Sequence, residues 1–392
     1  MIKKTFCLIS ICLILLSNND SFSCTILTSS SKNVVFAGNN EDMCTTNTLI
    51  HIIPPKENKF GRLLWGFVND ENYQGGMNEY GLFFDGAGLS PIKIDKQLLP
   101  EYDGAFLMEG VLEYCKTVED AIAFIKKHNV SFLAYCHILI ADSTGDAVIM
   151  EWGNGRLNFV RKGDENYLIA TNFNHTESHD IGNECSRYNI ASKILSQEQP
   201  SLITFEKALS HTHQEGNYCT VYSNICDLKS VKMYLYSFHD FSINKEFDLK
   251  KEFRKGEQKQ LVRSFFPPSF AERNFRMRYD CISSCDEIPY KNVEFKITTK
   301  KPVPFDTIYV RGSAVELGRW NKEGIQLEKD SNELYSKIIQ IKEGALFDFE
   351  LVLKNRKYYP ISKDGYRIKE IEFEVQTDTT INLAVFDWKI LE

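Results

Sequence analysis

Cys24 follows a basic start at Lys3 and Lys4, an apolar run from Phe6 to Leu16 and a polar exit from Ser17 to Ser23. This is the layout of a secretory leader, too short to span a membrane. Ser21 and Ser23 stand three and one residues before Cys24, the small-residue pattern that a signal peptidase accepts, so cleavage is expected to make Cys24 the first residue of the mature chain. A free α-amine titrates near ~7.7–8.0 and a thiol near ~8.5. One terminal cysteine therefore holds a nucleophile and its own general base, with no histidine required. Two other readings of Cys24 stay open on these residues. One is a lipid-attachment site, although Ser21, Phe22 and Ser23 lack the leucine, small residue, Gly/Ala order usual before one; the other is a structural cysteine.

The remaining composition bounds what such a residue belongs to. A chain of 392 residues with 43% hydrophobic and 12% aromatic content can fill two domain cores. Its net charge of −7 and lack of a Lys/Arg block exclude a nucleic-acid binder, which needs a basic face to neutralise phosphates. Beyond the leader no apolar run reaches membrane-spanning length, so no transmembrane segment is expected. Of eleven cysteines, Cys7 and Cys12 leave with the leader, and the pairing of the rest is not readable from spacing, although Cys281 and Cys285 are near enough in sequence to bridge. No CxxC pair occurs, and His175 with His179 and His211 with His213 lack cysteine or carboxylate partners at familiar ligand spacing. No metal and no other cofactor is expected.

The elements that must position Cys24 are short. Thr25 to Thr28 and Val34 to Ala37, separated by a polar Ser-Ser-Ser-Lys-Asn turn, read as a hairpin with Cys24 at the head of a strand. Arg62 to Val68 and Leu82 to Asp85 read as further strands, the second introduced by a turn over Gly75 to Gly81. Helical spacing runs from Gly104 to Lys116, and Thr117, with Asp120 three places on, caps a helix to Lys127. Cys136 to Ala141 and Ala147 to Trp152 read as strands around the turn Asp142 to Asp146. Asn183 to Leu195 and Phe205 to His211 read as helices, and Cys219 to Ile225 and Lys232 to Ser237 as strands. This order favours layered sheets with helices outside them over a βαβ repeat. A stretch without periodicity at 271–290 reads as a linker. Over 291–392, about seven short alternating strands, among them Thr307 to Val310, Tyr335 to Ile341, Phe347 to Leu353 and Ile381 to Phe386, read as a β-sandwich.

Five local texts carry a resemblance: Ser-Cys-Thr at 23–25, Gly-Asn-Asn-Glu-Asp at 38–42, Gly-Gly-Met-Asn-Glu-Tyr-Gly-Leu at 75–82, Ala-Thr-Asn at 170–172 and Cys-Ser-Arg-Tyr at 185–188. Over roughly Cys24 to Ser264 they resemble, in order and spacing, the choloylglycine hydrolase and penicillin V acylase family with its related acyltransferases, N-terminal-nucleophile (Ntn) hydrolases of linear amide C–N bonds. The resemblance implies an α+β fold: a four-layer αββα domain over 24–270, behind a signal peptide at 1–23 and ahead of the linker and the β-sandwich. It gives Cys24 the role of nucleophile, Asp42 that of holding the terminal amine, Asn172 that of serving the substrate carbonyl, and Arg187 that of a fixed cation near the thiol. Asn39, Asn78 and Ser90 fall on its oxyanion or substrate side. Bile-salt and penicillin members usually carry arginine at the position of Asn39 and asparagine at that of Ser90. The first change removes a charge beside the thiol, and the second a side-chain donor, for which backbone N–H groups near Leu89 and Ser90 are the substitute. Both argue against transferring bile-salt specificity.

In the second domain, Val310-Arg311-Gly312-Ser313, Glu316-Leu317-Gly318-Arg319-Trp320, and Phe347 to Leu353 followed by Tyr358 and Tyr359 resemble a family 20 carbohydrate-binding module of the starch-binding type. The resemblance implies a sugar ring packed on Trp320. Tyr358 or Tyr359 stands for the second platform, a tryptophan in that family, and Glu350 for its strand lysine. Trp388 is expected in the core.

The expectation is an exported enzyme, periplasmic, cell-surface or extracellular, that cleaves linear amide C–N bonds of small N-acyl compounds through an acyl-enzyme on Cys24. Alternatives are acyl transfer to an amine by the same nucleophile, a catalytically inactive glycan-binding surface protein, and a lipoprotein anchored at Cys24. An α-glucan is the partner expected at the second domain, and the resemblance implies a homo-oligomer, related hydrolases often being tetramers.

Overall fold

The computed structural model describes residues 24–392 except 69, 71, 95–96, 179–184, 217, 268, 277–288, 305–306, 319, 321–323, 331–332, 354–357 and 391–392. The expected leader, the Cys281 and Cys285 pair, and Arg319 lie outside the described residues.

In chain order the first fourteen strands are β1 (Thr25–Ser30), β2 (Val35–Met43), β3 (Thr48–Ile53), β4 (Arg62–Phe67), β5 (Gly75–Asn78), β6 (Phe83–Gly88), β7 (Cys136–Ala141), β8 (Ala147–Gly153), β9 (Arg156–Arg161), β10 (Tyr167–Ala170), β11 (Cys219–Asp227), β12 (Lys232–Ser237), β13 (Lys245–Asp248) and β14 (Gln258–Leu261). They make two antiparallel sheets, ordered β10-β1-β2-β11-β12-β13 and β14-β3-β4-β5-β6-β7-β8-β9. Because successive side chains on a strand point to opposite faces, each strand feeds two layers. In β1, Ile26 enters the cluster between the sheets while Leu27 faces the other way. In β2, Val35 and Ala37 point inward and Phe36 outward. Helices α1 (Leu107–Tyr114) and α2 (Val118–Ile125) cover the outer face of the larger sheet through Leu112, Val118 and Ile122. Helices α3 (Ser186–Gln197) and α4 (Leu202–Thr212) cover the smaller one through Ala191, Leu195, Phe205 and Leu209. The result is the expected α+β arrangement in four layers, αββα.

The hairpin, the Thr117 cap and the strands of the middle region form where the pattern placed them. Thr117 accepts from Asp120 N and the two form a full capping box. Helix α1 is shorter than expected, since Phe106 is extended and supplies no side-chain cap. The Gly75 to Gly81 stretch is half strand: Gly75–Asn78 pairs with β4 and β6, and the turn follows. A Cβ on Gly75 would stand 2.3 Å from Trp65 Nε1, so only glycine lets this strand pass under the indole. Strand β3 gives no alternation because both of its faces are largely buried, and β9 because it is a mostly half-exposed edge. The stretch read as a connector begins with a short helix, Phe270–Phe275, capped by Ser269; its Phe275 belongs to the inter-sheet core.

The C-terminal strands are β15 (Tyr290–Thr299), β16 (Ile308–Gly312), β17 (Ile325–Gln326), β18 (Glu328–Lys329), β19 (Leu334–Lys342), β20 (Leu346–Leu353), β21 (Tyr358–Ile361), β22 (Ile371–Glu374), β23 (Thr379–Val385) and β24 (Asp387–Ile390). Sheets ordered β18-β19-β15-β23 and β17-β16-β20-β22 enclose Val293, Phe295 and Ile297 from β15 and Phe347, Phe349 and Leu351 from β20. This is the expected β-sandwich, and Trp388 is in its core.

Candidate active site

The β1–β2 register pairs Thr25 with Asn40, which brings Cys24, at the head of β1, alongside the end of β2. Cys24 is buried and lines a cleft of about 360 Å³ with Glu41, Asp42, Met43, Phe67, Tyr73, Phe106 and Ile138, among others. The alternation along β2 then divides the polar residues. Asn39 and Glu41 share the inward parity of Val35 and Ala37, whereas Asn40 and Asp42 point toward the helices, where Asn40 Nδ2 donates to Leu209 O of α4 at 2.9 Å.

A bulge in β11 serves both faces. Its register against β2 shifts between Thr220, opposite Asp42, and Tyr222, opposite Glu41. The Thr220 hydroxyl donates to Asp42 Oδ1, and Gln214 Nε2 donates to Asp42 Oδ2 at 2.7 Å. The Tyr222 hydroxyl donates to Glu41 Oε2 at 3.2 Å, as does Asn39 Nδ2 at 3.3 Å. The Cys24 thiol donates to Glu41 Oε1 at 3.4 Å.

Arg187 comes from the first turn of α3. Its guanidinium donates to Cys24 O at 2.6 Å, to Thr25 Oγ1 at 2.7 Å and to Asn172 Oδ1 at 2.8 Å, and lies 3.9 Å from Asp42 Oδ2. Such a planar fork fixes three groups at once, which a lysine does not do. Asn172 Nδ2 donates to Gly88 O, a cleft residue, at 2.7 Å. The segment carrying Asn172 is held from behind: buried His137 bonds Thr171 O at 2.6 Å, and buried Glu151 takes His175 N and Thr176 N. Cys24, Asp42, Asn172 and Arg187 are thus one connected group.

Burial pushes the Asp42 carboxyl up to about 7, against the pull of Thr220, Gln214 and Arg187. Burial carries the Glu41 carboxyl to about 8. Burial and then Glu41 push Asp85, which takes Trp65 Nε1 at 2.8 Å, well above the usual carboxylate range. The Cys24 thiol is raised by burial, then by Glu41 and Asp42. Burial thus disfavours the anions of the inward acids Glu41 and Asp85, and the fixed positive charge of Arg187 sits on the Cys24 carbonyl.

Three expected positions need correction. Asn78 does not line the cleft: its Nδ2 donates to Leu112 O and Cys115 O at the end of α1, and its Oδ1 accepts from Tyr80 N and Leu82 N, so the amide is fully used. Ser90 is exposed and outside the lining, and Leu89 N is engaged with Tyr135 O at 2.7 Å. Asn39 is fully buried behind Glu41 rather than in the cleft wall, and its Oδ1 has no hydrogen-bond partner. The residue that sequence reasoning missed is Glu41. A carboxylate at an inward parity position of a strand that opens with Val35 and Ala37 on that face is the signal that marks it.

In the second domain Tyr358 and Tyr359 line a groove of about 250 Å³ with Arg311, Glu350 and Arg367. Arg311 pairs with Glu350 and stands 5.9 Å from the centre of the Trp320 ring, so Trp320 adjoins the same groove. Trp320 is 36% exposed and its backbone has φ of +61°, a strained setting for a bulky residue.

The family model described as acyl-coenzyme A:6-aminopenicillanic acid acyl-transferase matches residues 27–237, and the one described as starch binding domain matches residues 290–382. A comparison with curated proteins found no match. Among solved structures, a variant of conjugated bile acid hydrolase from Clostridium perfringens is 18% identical, covering 60% of this chain and 96% of its own at a TM-score of 0.48. Penicillin V acylase from Agrobacterium tumefaciens is 17% identical, covering 61% and 91% at 0.48. A glycoside hydrolase family 15 glucoamylase from Hypocrea jecorina is 16% identical, covering 26% and 19% at 0.19.

Proposed function

Since this chain belongs to the acyl-coenzyme A:6-aminopenicillanic acid acyl-transferase family, we propose that it is an exported hydrolase of linear amide C–N bonds in small N-acyl compounds, with Cys24 as its N-terminal nucleophile. The observation that carries this reading is the connection of Cys24, in the cleft, through Arg187 to Asn172 and toward Asp42. Removal of the leader frees the Cys24 α-amine, which takes the thiol proton. The thiolate attacks the amide carbonyl, the C–S bond forms, and the C–N bond breaks as the ammonium returns that proton to the leaving amine. Water, deprotonated by the same amine, then attacks the thioester and releases the acid, and the sulfur regains its proton.

Asp42, between Gln214 and Thr220, is the group to hold the ammonium. Arg187 fixes the carbonyl of the nucleophile itself, and Asn172 Nδ2, bonded to Gly88 O, is the donor an oxyanion competes for. Met43, Phe67, Phe106 and Ile138 offer the acyl group an apolar wall, with Asp70, Asn72 and Gln74 as polar partners for the amine part. The family description favours a second outcome for the same acyl-enzyme: an acceptor amine in place of water gives acyl transfer. In the second domain, Trp320 with Tyr358 and Tyr359 is proposed to hold an α-glucan and keep the enzyme on polysaccharide.

The test compares mature protein with Cys24→Ser across a panel of acyl amides, following amine release, with an intact mass of the N-terminus. A free Cys24 and loss of release in the variant are expected. Equal release by both proteins overturns the proposal, and product analysis with competing amines separates transfer from hydrolysis.

A further inference from the structure

The loop after α4 carries His213, Gln214 and Glu215, and β12 ends just before Phe238 and His239. Separated by about two dozen residues in sequence, His213 and His239 stack with ring centres 4.6 Å apart. His213 Nδ1 is engaged by Ser210 O at 2.6 Å and His239 Nδ1 by Thr220 O at 3.3 Å. A backbone carbonyl accepts only from an N–H, so both Nδ1 atoms carry hydrogen and both Nε2 atoms present lone pairs in the neutral rings. Glu215 Oε1 lies 3.5 Å from His213 Nε2. One ligand atom from each of the three residues lies within 4.8 Å of the other two.

We propose that His213, His239 and Glu215 form a binding site for one first-row divalent cation of the Zn²⁺ class. Two imidazoles with Nδ1 held by carbonyls and one carboxylate are the donor set and outer arrangement that such ions take. Bonds of about 2.0–2.1 Å in a tetrahedral site set ligand atoms roughly 3.3 Å apart, so closure needs side-chain rotations on the order of an ångström. The exposed Glu215 can make them. The backbone supports the placement: Phe238 and His239, neither a glycine, have φ of +49° and +51°, a left-handed pair that turns His239 toward His213.

The position matters for the site at Cys24. Gln214, between two of the ligands, is the donor to Asp42 Oδ2. Thr220, whose carbonyl holds His239, is the donor to Asp42 Oδ1. A bound cation pins the loop that holds Asp42. The cation site is separate from the reaction and stands whether or not Cys24 is the nucleophile.

The experiment is a calorimetric titration of Zn²⁺ into Cys24→Ser protein, in which the cleft thiol cannot compete. One equivalent is expected to bind, with a rise in Tm. His239→Phe keeps the stacked ring but has no lone pair, and at least about 100-fold weaker binding is expected, since even outer partners of such ligands matter 10–100-fold. Glu215→Gln, at an exposed position that leaves folding intact, is expected to weaken it as well. Co²⁺ in place of Zn²⁺ is expected to give d–d absorption with no sulfur-to-metal charge-transfer band. Absence of binding, affinity in both variants undiminished from that of the Cys24→Ser parent, or a thiolate band showing capture by another cysteine overturns the site.

Discussion

Glu41 is the residue whose replacement tests the electrostatics of the site most directly. Its carboxyl titrates near about 8 in the fold against 4.5 as its ordinary value, because burial disfavours the anion more than Tyr222, Asn39 and the thiol stabilise it. Between those two values the folded chain holds a proton at Glu41 that the unfolded chain has lost. The folded state therefore binds more protons, and its stability falls as pH rises through that window, by about 1.4 kcal/mol per pH unit. Over the full span from 4.5 to about 8 this reaches about 5 kcal/mol as an upper figure. Glu41→Gln keeps shape and polar contacts but removes the titration. Asp42 remains raised in both proteins, while Asp85, which Glu41 itself helps to push up, is partly relieved in the variant, so the difference reads the Glu41–Asp85 pair. Urea unfolding of wild type and variant at half-unit intervals from pH 5 to 8 measures it. The variant is expected to gain on wild type by about 1.4 kcal/mol per pH unit, about 3 kcal/mol or more by pH 7.5. The variant also has no anion to form beside the sulfur at high pH, so wild type is expected to lose rate as pH rises through about 8 and the variant is expected not to. A stability difference that stays flat across this range refutes the assignment of a buried, protonated Glu41.

Three further outcomes follow from the same contacts. Arg187→Lys retains the charge but loses the fork on Cys24 O, Thr25 Oγ1 and Asn172 Oδ1, and kcat/KM for amide cleavage is expected to fall about 100-fold through misplacement of the nucleophile. Trp320→Ala is expected to weaken retention on an α-glucan column about tenfold or more while leaving kcat on a soluble amide unchanged; unchanged retention removes the stacking role. Gly75→Ala forces a Cβ against Trp65 Nε1 and Asp85 Oδ2, and is expected to cost about 1–3 kcal/mol in denaturant unfolding.

Local rules carried much of this chain. The polar turn between two β-forming runs suffices for the β1–β2 hairpin, because turn residues and alternation act over a few neighbours, and Thr117 with Asp120 suffices for the capping box of α2. The positions of Asp42, Asn172 and Arg187 came from the family resemblance and not from local rules; each sits at the end or first turn of an element or just past its end, where a side chain can be presented without breaking a ladder. Strand β3, buried on both faces, and the edge strand β9 have no alternation to read.

What the sequence by itself determined is the layered α+β body, the trailing sandwich and the thiol-bearing strand head, all consequences of period-two and period-3.6 patterns. Tertiary structure alone decided that Asn78 spends its amide on the end of α1, that Glu41 is a buried acid against the thiol with its pKa raised by that burial, and that His239 meets His213 and Glu215. The reason is physical: a pKa depends on what surrounds a group in three dimensions, and a ligand cluster on atoms brought together by sheet pairing. Neither quantity is a function of neighbours along the chain.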